Sequence, residues 1–276
     1  MPDSDDSAVS ESASWRRYFL SRAAASDPLP WNDPTALTRE EAQCIQSSIQ
    51  QFQLGEGARG SRLLKRGQDF ANATENPHFV DALALFVKEE QRHSACLLRF
   101  MQRESIPAAF SHWVDTVFRR LRVLAGLEFS LRVLLSAEII AIPYYRALGA
   151  ATRSPLLQAI CNRILEDEAA HLCFQASMLS RISARRPFFA DRIVNGMHRV
   201  FLLITCVVVW FEHGRVFRAS GYARAGFLAE TFWEFDRLEN AIGRGPLLAR
   251  IPEAEVQAER SASLARAENV TVESRD

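Results

Sequence analysis

Two segments of the chain place a glutamate and a histidine three residues apart within an apolar helical stripe. In the first, Leu83, Phe86, Glu90, His93 and Leu97 recur at steps of three and four residues. These steps put all five side chains on one face of a helix, the face that a helical bundle turns toward its core. Two of the five are ionisable, so charge must be compensated where a core is otherwise apolar.

The second segment repeats this arrangement. Ile164, Glu168, His171 and Gln175 follow the same steps, again with the Glu-x-x-His pair in the middle of the stripe. A single pair is weak evidence, because any histidine has a fair chance of a glutamate three residues before it. Two pairs that both lie on core-facing stripes favour a shared role.

Two other predicted helices carry one carboxylate each on their apolar stripes, Glu56 and Glu138. At a rise of about 1.5 Å per residue, Glu56, Glu90, Glu138 and Glu168 lie about 24, 20, 16 and 20 Å from the turns that join their helices in pairs. These similar heights predict that all four glutamates share one layer of a bundle.

Such a layer needs protons or cations, because an uncompensated charge in an apolar core is strongly unfavourable. Two divalent metal ions would cancel the charge of four carboxylates and use the imidazoles as neutral ligands. Oxygen and imidazole ligands without thiolate favour iron, and manganese or a mixed iron–manganese pair suits the same ligands.

The arrangement resembles the ferritin-like di-iron carboxylate superfamily, which includes soluble desaturases, an N-oxygenase type and ribonucleotide reductase small subunits. The sequences EEQRH at 89–93 and DEAAH at 167–171 resemble the paired motifs of the soluble desaturases, although the second lacks their arginine. The resemblance covers residues 38–217. It implies dioxygen chemistry at two iron ions and six metal ligands, namely Glu56, Glu90, His93, Glu138, Glu168 and His171.

Helical patterns predict an all-α fold throughout, and the resemblance implies a ferritin-like four-helix bundle. The bundle has a long crossover between its second and third helices and additional helices toward the C-terminus. We expect a disordered segment over residues 1–36, one di-metal bundle domain over 37–242 and a disordered tail over 243–276. The first four helices are predicted at 38–72, 76–103, 126–149 and 154–183.

The resemblance implies a di-iron, dioxygen-dependent oxidoreductase that hydroxylates, desaturates or N-oxygenates a small organic substrate. A separate donor protein would supply electrons, because the chain has no flavin, haem or cysteine-cluster motif. The alternative is a non-catalytic ferritin-like protein that binds or stores iron with the same ligands. A third interpretation, a helical interaction module with a protonated polar core, predicts no loss of stability on chelation.

Charge and cysteine use restrict the partners and the location. Basic and acidic residues balance at 33 each, so no net charge favours nucleic acid. The five cysteines lack C-x-x-C spacing, which predicts reduced thiols in a cytoplasmic protein. The longest apolar run, 200–211, is shorter than the roughly 20 residues of a membrane span and predicts a buried helix. The alternative roles for this run are a homodimer interface or the lining of a substrate tunnel.

Two motifs have the spacing of a functional signature without its context. Glu75 precedes His78 by three residues, but Pro77 indicates a helix start, so the two side chains need not share a face. The sequence GEGARG at 55–60 matches the dinucleotide fingerprint, yet a helical pattern rather than a strand precedes it. These glycines beside Glu56 predict either a close approach of helices or open space beside the metals.

Overall fold

The computed structural model describes residues 3–24, 28–58, 60–124, 126–184 and 186–242. All regular secondary structure in these ranges is helical, which confirms the predicted all-α class. The helices are α1 (Asp3–Ala24), α2 (Arg39–Glu56), α3 (Ser61–Ala73), α4 (Pro77–Arg103), α5 (Trp113–Leu124), α6 (Leu127–Ala150), α7 (Pro155–Ser183), α8 (Phe188–Ala219) and α9 (Arg224–Ile242).

The chain divides into two compact units. The first comprises Met1–Val133 and Ser154–Ile160, and the second comprises Leu134–Arg153 and Cys161–Asp276. The single bundle domain over 37–242 and the ferritin-like topology stay predictions. The predicted tail over residues 243–276 lies outside the described residues.

In the first unit, helix α4 contacts α1, α2 and α3. Proline is favoured in the first turn of a helix, where its missing N–H costs no hydrogen bond, and α4 begins at Pro77. Leu83, Phe86 and Leu97 are buried, as their stripe predicts. The same stripe carries Glu90 and His93, so the packing of α4 determines where these two side chains lie.

The N-terminal segment corrects the prediction of disorder over residues 1–36, because residues 3–24 form α1. Phe19 is buried, and its ring lies 6.4 Å from that of Phe86 on α4. The side chain of Asn76, at the start of α4, donates a hydrogen bond to Ser12 Oγ of α1 at 3.0 Å. The helix is therefore stabilised by contacts with a distant part of the chain.

The predicted first helix over 38–72 is two helices, α2 and α3, with a break after Glu56. Its start is confirmed, since Thr38 and Glu41 form the predicted capping box. Gly57 follows the last residue of α2, and Gly60 precedes α3 with φ of +62°. That conformation is accessible to glycine at little cost. Glu56 consequently lies at the end of a helix rather than within one.

In the second unit, α8 packs against α9. Helix α8 is long and apolar enough to cross a membrane by length and composition alone, and 28% of its most apolar 18-residue window is buried. The run at 200–211 that was predicted to be buried has both buried and exposed members: Leu202 and Cys206 are buried, whereas Ile204 and Phe211 are exposed.

Candidate metal centre

In the first unit, the imidazole of His93 lies beside two carboxylates. His93 is buried, and its Nδ1 is 3.8 Å from Glu90 Oε1 and 4.0 Å from Glu56 Oε2. Glu56 is also buried, whereas the Glu90 side chain is 16% exposed. The spacing of Glu90 and His93 places them one helical turn apart on α4, as predicted.

A pair of hydrogen bonds between α2 and α4 holds Glu56 near His93. Ser94 Oγ donates to the carbonyl of Gln53, and Gln53 Nε2 donates to Ser94 Oγ, both at 2.9 Å. Ser94 follows His93 directly, and Gln53 precedes Glu56 by one turn of α2. The contact therefore sets the last turn of α2 against the part of α4 that carries the histidine.

The glycine turn after Glu56 also lies close to α4. A Cβ at Gly57 would be 3.0 Å from Ser94 Oγ, and a Cβ at Gly60 would be 2.9 Å from the methyl groups of Val87. Gly55, in contrast, has nothing within 4 Å of its Cβ position. A close approach of the chain to α4 therefore explains the glycines at 57 and 60, whereas the position of Gly55 has open space beside it.

In the second unit, Glu168 and His171 form the other predicted pair. Both side chains are completely buried, and Glu168 Oε2 lies 3.4 Å from His171 Nδ1. Helix α7 starts at a Ser-Pro sequence in which Ser154 Oγ accepts a hydrogen bond from the Leu157 amide. The helix then continues unbroken through the pair.

Glu138 lies on α6 in the second unit, and its side chain is buried. The sequence predicts it as the one metal ligand on its helix. Its Oε1 accepts a hydrogen bond of 2.9 Å from Gln175 Nε2. Gln175 is completely buried and follows His171 by four residues, so it lies on the same face of α7. This contact places Glu138 next to the stripe that carries the Glu168–His171 pair.

Four of the six predicted ligands come together in one buried group that could hold metal. One ligand atom each from Glu90, His93, Glu168 and His171 lies within 4.8 Å of every other. Glu56 and Glu138 are outside this group, although Glu56 lies beside His93. A ligand role for those two carboxylates stays a prediction.

The separations between carboxylates and imidazoles in and beside this group are compatible with a shared cation. Separations of 3.4 to 4.0 Å between carboxylate oxygen and imidazole nitrogen exceed the usual hydrogen-bond range. Two atoms that bind one ion at about 2.0 to 2.2 Å each would have separations of this size. The residues present therefore fit a metal ion, with carboxylate and imidazole donors only.

Charged neighbours of the ligands form ion pairs of their own. Glu89 is buried and pairs with Arg92, and the buried Asp167 pairs with Arg163 at 3.5 Å. Both carboxylates are therefore compensated by an arginine and are largely removed from solvent.

The five cysteines are thiols rather than halves of disulfides, and none of them is a member of the four-residue group. Burial raises the pKa of the Cys206 thiol to about 12, and burial also raises the pKa of Cys161. Both thiols lie buried in the apolar core.

The second Glu-x-x-His spacing in unit 1 serves as an internal control. Glu75 precedes α4, is exposed and has φ of +50°, whereas His78 lies in the first turn of that helix. Neither residue belongs to the buried group of possible ligands. The Glu-x-x-His spacing alone is thus not sufficient to predict a metal ligand pair. The other two pairs differ from this one because they lie on buried helical stripes.

A buried hydrogen-bonded chain in the second unit was not predicted. His198 Nε2 lies 3.0 Å from Ser136 Oγ, and His198 Nδ1 lies 3.1 Å from Glu239 Oε1. Ser136 is completely inaccessible to solvent, so the serine is not open to a substrate. This series of side-chain contacts links α6, α8 and α9.

Fold and site together define a class: within its described residues this is an all-helical protein with a buried carboxylate–imidazole group that could bind metal. Comparison with protein-family models, with curated proteins and with solved structures finds no match.

Proposed function

We propose that this protein is a di-iron, dioxygen-dependent oxidoreductase that hydroxylates, desaturates or N-oxygenates a small organic substrate. The observation that supports a metal function is the buried group of two glutamates and two histidines. Further support is the resemblance of both Glu-x-x-His segments to the di-iron carboxylate pattern.

The ligand chemistry supports iron over a structural zinc site. Carboxylate oxygens and imidazole nitrogens suit iron or manganese, whereas structural zinc sites usually include thiolates. With Glu56 and Glu138 added, four carboxylates balance two divalent ions. Iron would supply the capacity to activate dioxygen, which the protein side chains lack.

The side chains differ in the environment that they give to such a centre. Glu168 and His171 are completely buried, so their half of the group excludes water. Glu90 retains contact with solvent, and the glycine turn after Glu56 contacts the same face of α4. We propose that dioxygen and substrate reach the metals beside Glu90.

The proposed reaction needs electrons from outside the chain. Carboxylates, imidazoles and buried thiols are not electron carriers, and we propose an external donor protein for this role. The proposed setting is the cytoplasm, where the cysteine thiols stay reduced.

Metal analysis of the purified protein is the first test. We expect about two iron ions per chain after reconstitution with ferrous iron without oxygen, as two-metal carboxylate sites require. Glu168→Gln and Glu90→Gln keep the side-chain volume and remove a negative charge each, so both should reduce the bound iron. His78→Ala is the matched control for loss of a histidine in the same spacing, and its iron content should equal that of the wild type.

Dioxygen consumption then separates the enzyme from an iron-storage protein. An oxidoreductase should consume dioxygen repeatedly when reductant and substrate are supplied, with iron content constant. A storage protein would take up many more than two ions per chain and retain them as ferric iron. If Glu168→Gln and Glu90→Gln both bind as much iron as the wild type, the proposal that these residues hold metal is wrong.

A further inference from the structure

Helix α8 has apolar side chains on two opposite faces, and its own unit covers only one of them. Leu202, Cys206 and Val209 are on the buried face. At about 100° per residue, a second set points in the opposite direction. We call this set the α8 outer stripe, and its members are all exposed: Ile193, Met197, Val200, Ile204, Val207 and Phe211.

We infer that the α8 outer stripe binds the same stripe of a second copy of this chain. Its members are spaced by four, three, four, three and four residues, which is the spacing of the contact positions in paired helices. This order is the same in both directions along the helix. An antiparallel copy therefore aligns all six positions at once, as a two-fold interface requires.

The antiparallel alignment also matches side chains by size. With residue 202 at the two-fold axis, Val200 lies opposite Ile204 of the other copy. The outermost residues, Ile193 and Phe211, are opposite each other, so a large ring meets a smaller aliphatic side chain. Each contact occurs twice, and the interface is closed after two copies.

The exposed area and the lack of charge fit a stable dimer. Phe211 is 78% exposed, and the other members of the stripe are about half to two-thirds exposed. Together with Leu203 and Phe189 beside them, they offer an area on the order of 800 Å², which stable interfaces bury on each partner. No Asp, Glu, Lys or Arg lies between Val200 and Phe211, so pairing there buries no formal charge.

A lipid bilayer is the competing environment for this face. The uncharged run at 200–211 is about 18 Å long at 1.5 Å per residue, compared with a hydrocarbon core of about 30 Å. The opposite face of α8 contacts the charged helix α9, where Asp236 pairs with Arg199 and Glu239 lies beside His198. Charged groups within hydrocarbon are unfavourable, so a protein partner fits better.

Sedimentation equilibrium of the full chain over a wide concentration range tests the inference. The wild type should be a dimer. Ile204→Glu and Met197→Glu each place a carboxylate in the stripe and should raise the dissociation constant of the dimer by ~100-fold or more, because an unpaired charge would be buried. Their helix content, measured by circular dichroism, should equal that of the wild type.

Phe188→Glu is the matched control for this experiment. Phe188 is 76% exposed on the same helix, but it points more than 90° away from the stripe. Its dissociation constant should stay within about twofold of the wild type. A dimer that both stripe variants leave intact overturns the inference. So does a monomeric wild type, including one that co-sediments with phosphatidylcholine vesicles.

Discussion

Gln175 is the residue that holds one of the six predicted ligands in place. Its amide donates to Glu138 inside a fully buried region, one turn beyond His171. Groups that hydrogen-bond a metal ligand orient it and adjust its affinity. Gln175→Leu keeps approximately the same volume and removes this donor, so we expect metal affinity to fall by about 10- to 100-fold.

Competition with a chromophoric chelator measures this affinity. Gln158→Leu is the control, because Gln158 is an exposed glutamine on the same helix. Unchanged affinity in Gln175→Leu, with the same helix content, would show that Glu138 needs no support from Gln175 to serve the site.

Local spacing explains which site residues can be predicted from sequence. The Glu90–His93 and Glu168–His171 pairs follow from the helical repeat, since three residues bring two side chains to one face. The Gln175–Glu138 contact joins positions 37 residues apart, and the Ser136–His198 contact joins positions 62 apart. Such contacts depend on the packing of distant helices, which a helical repeat does not encode.

The turn between α2 and α3 is the element that places Glu56. Gly60 has a positive φ, and a Cβ there would overlap Val87, so Gly60→Ala should lower the free energy of unfolding by about 1 to 2 kcal/mol or more. Gly55→Ala should act in the opposite direction, raising it by about 0.5 to 1 kcal/mol, because Gly55 is within a helix and has open space beside it.

Urea unfolding of both variants, followed by circular dichroism, measures these two opposite changes in the free energy of unfolding. Equal destabilisation by the two substitutions would contradict a turn that depends on Gly60 in particular.

Helix α1 contributes to the first unit through a few buried aromatic side chains. Phe19→Ala removes a ring that packs against Phe86 and should lower the free energy of unfolding by about 3 to 5 kcal/mol. Leu20→Ala, at a neighbouring position that is 42% exposed, should change it by less than about 1 kcal/mol. Denaturant titration of the two variants gives the comparison, and a small effect of Phe19→Ala would show that α1 is only loosely attached.

The helix boundaries show where sequence patterns are sufficient. The start of α4 has proline, and the start of α2 has a capping box, so local hydrogen bonding identifies both. Residues 3–24 are rich in serine and acidic residues, and their few apolar side chains pack in contact with α4. This helix could not be predicted because its stability comes from tertiary packing rather than from its own pattern.

For the whole molecule, the buried group that could hold metal would link stability to metal binding. Two carboxylates and two imidazoles lie within 4.8 Å in a region with little water, so a bound cation should stabilise the folded state over the unfolded one. A ligand that binds only the folded state adds about 4 kcal/mol when its concentration is a thousand times its dissociation constant. Chelation of the iron-loaded protein should therefore lower the thermal midpoint clearly.

Differential scanning calorimetry with and without a ferrous chelator measures this difference. The same experiment on Glu168→Gln should give a much smaller difference, because that variant binds metal weakly in both conditions. The His78→Ala variant should show the full wild-type difference. Equal midpoints for the iron-loaded wild type and its chelated form would instead support a polar core that is neutralised by protons, since proton binding does not respond to a chelator.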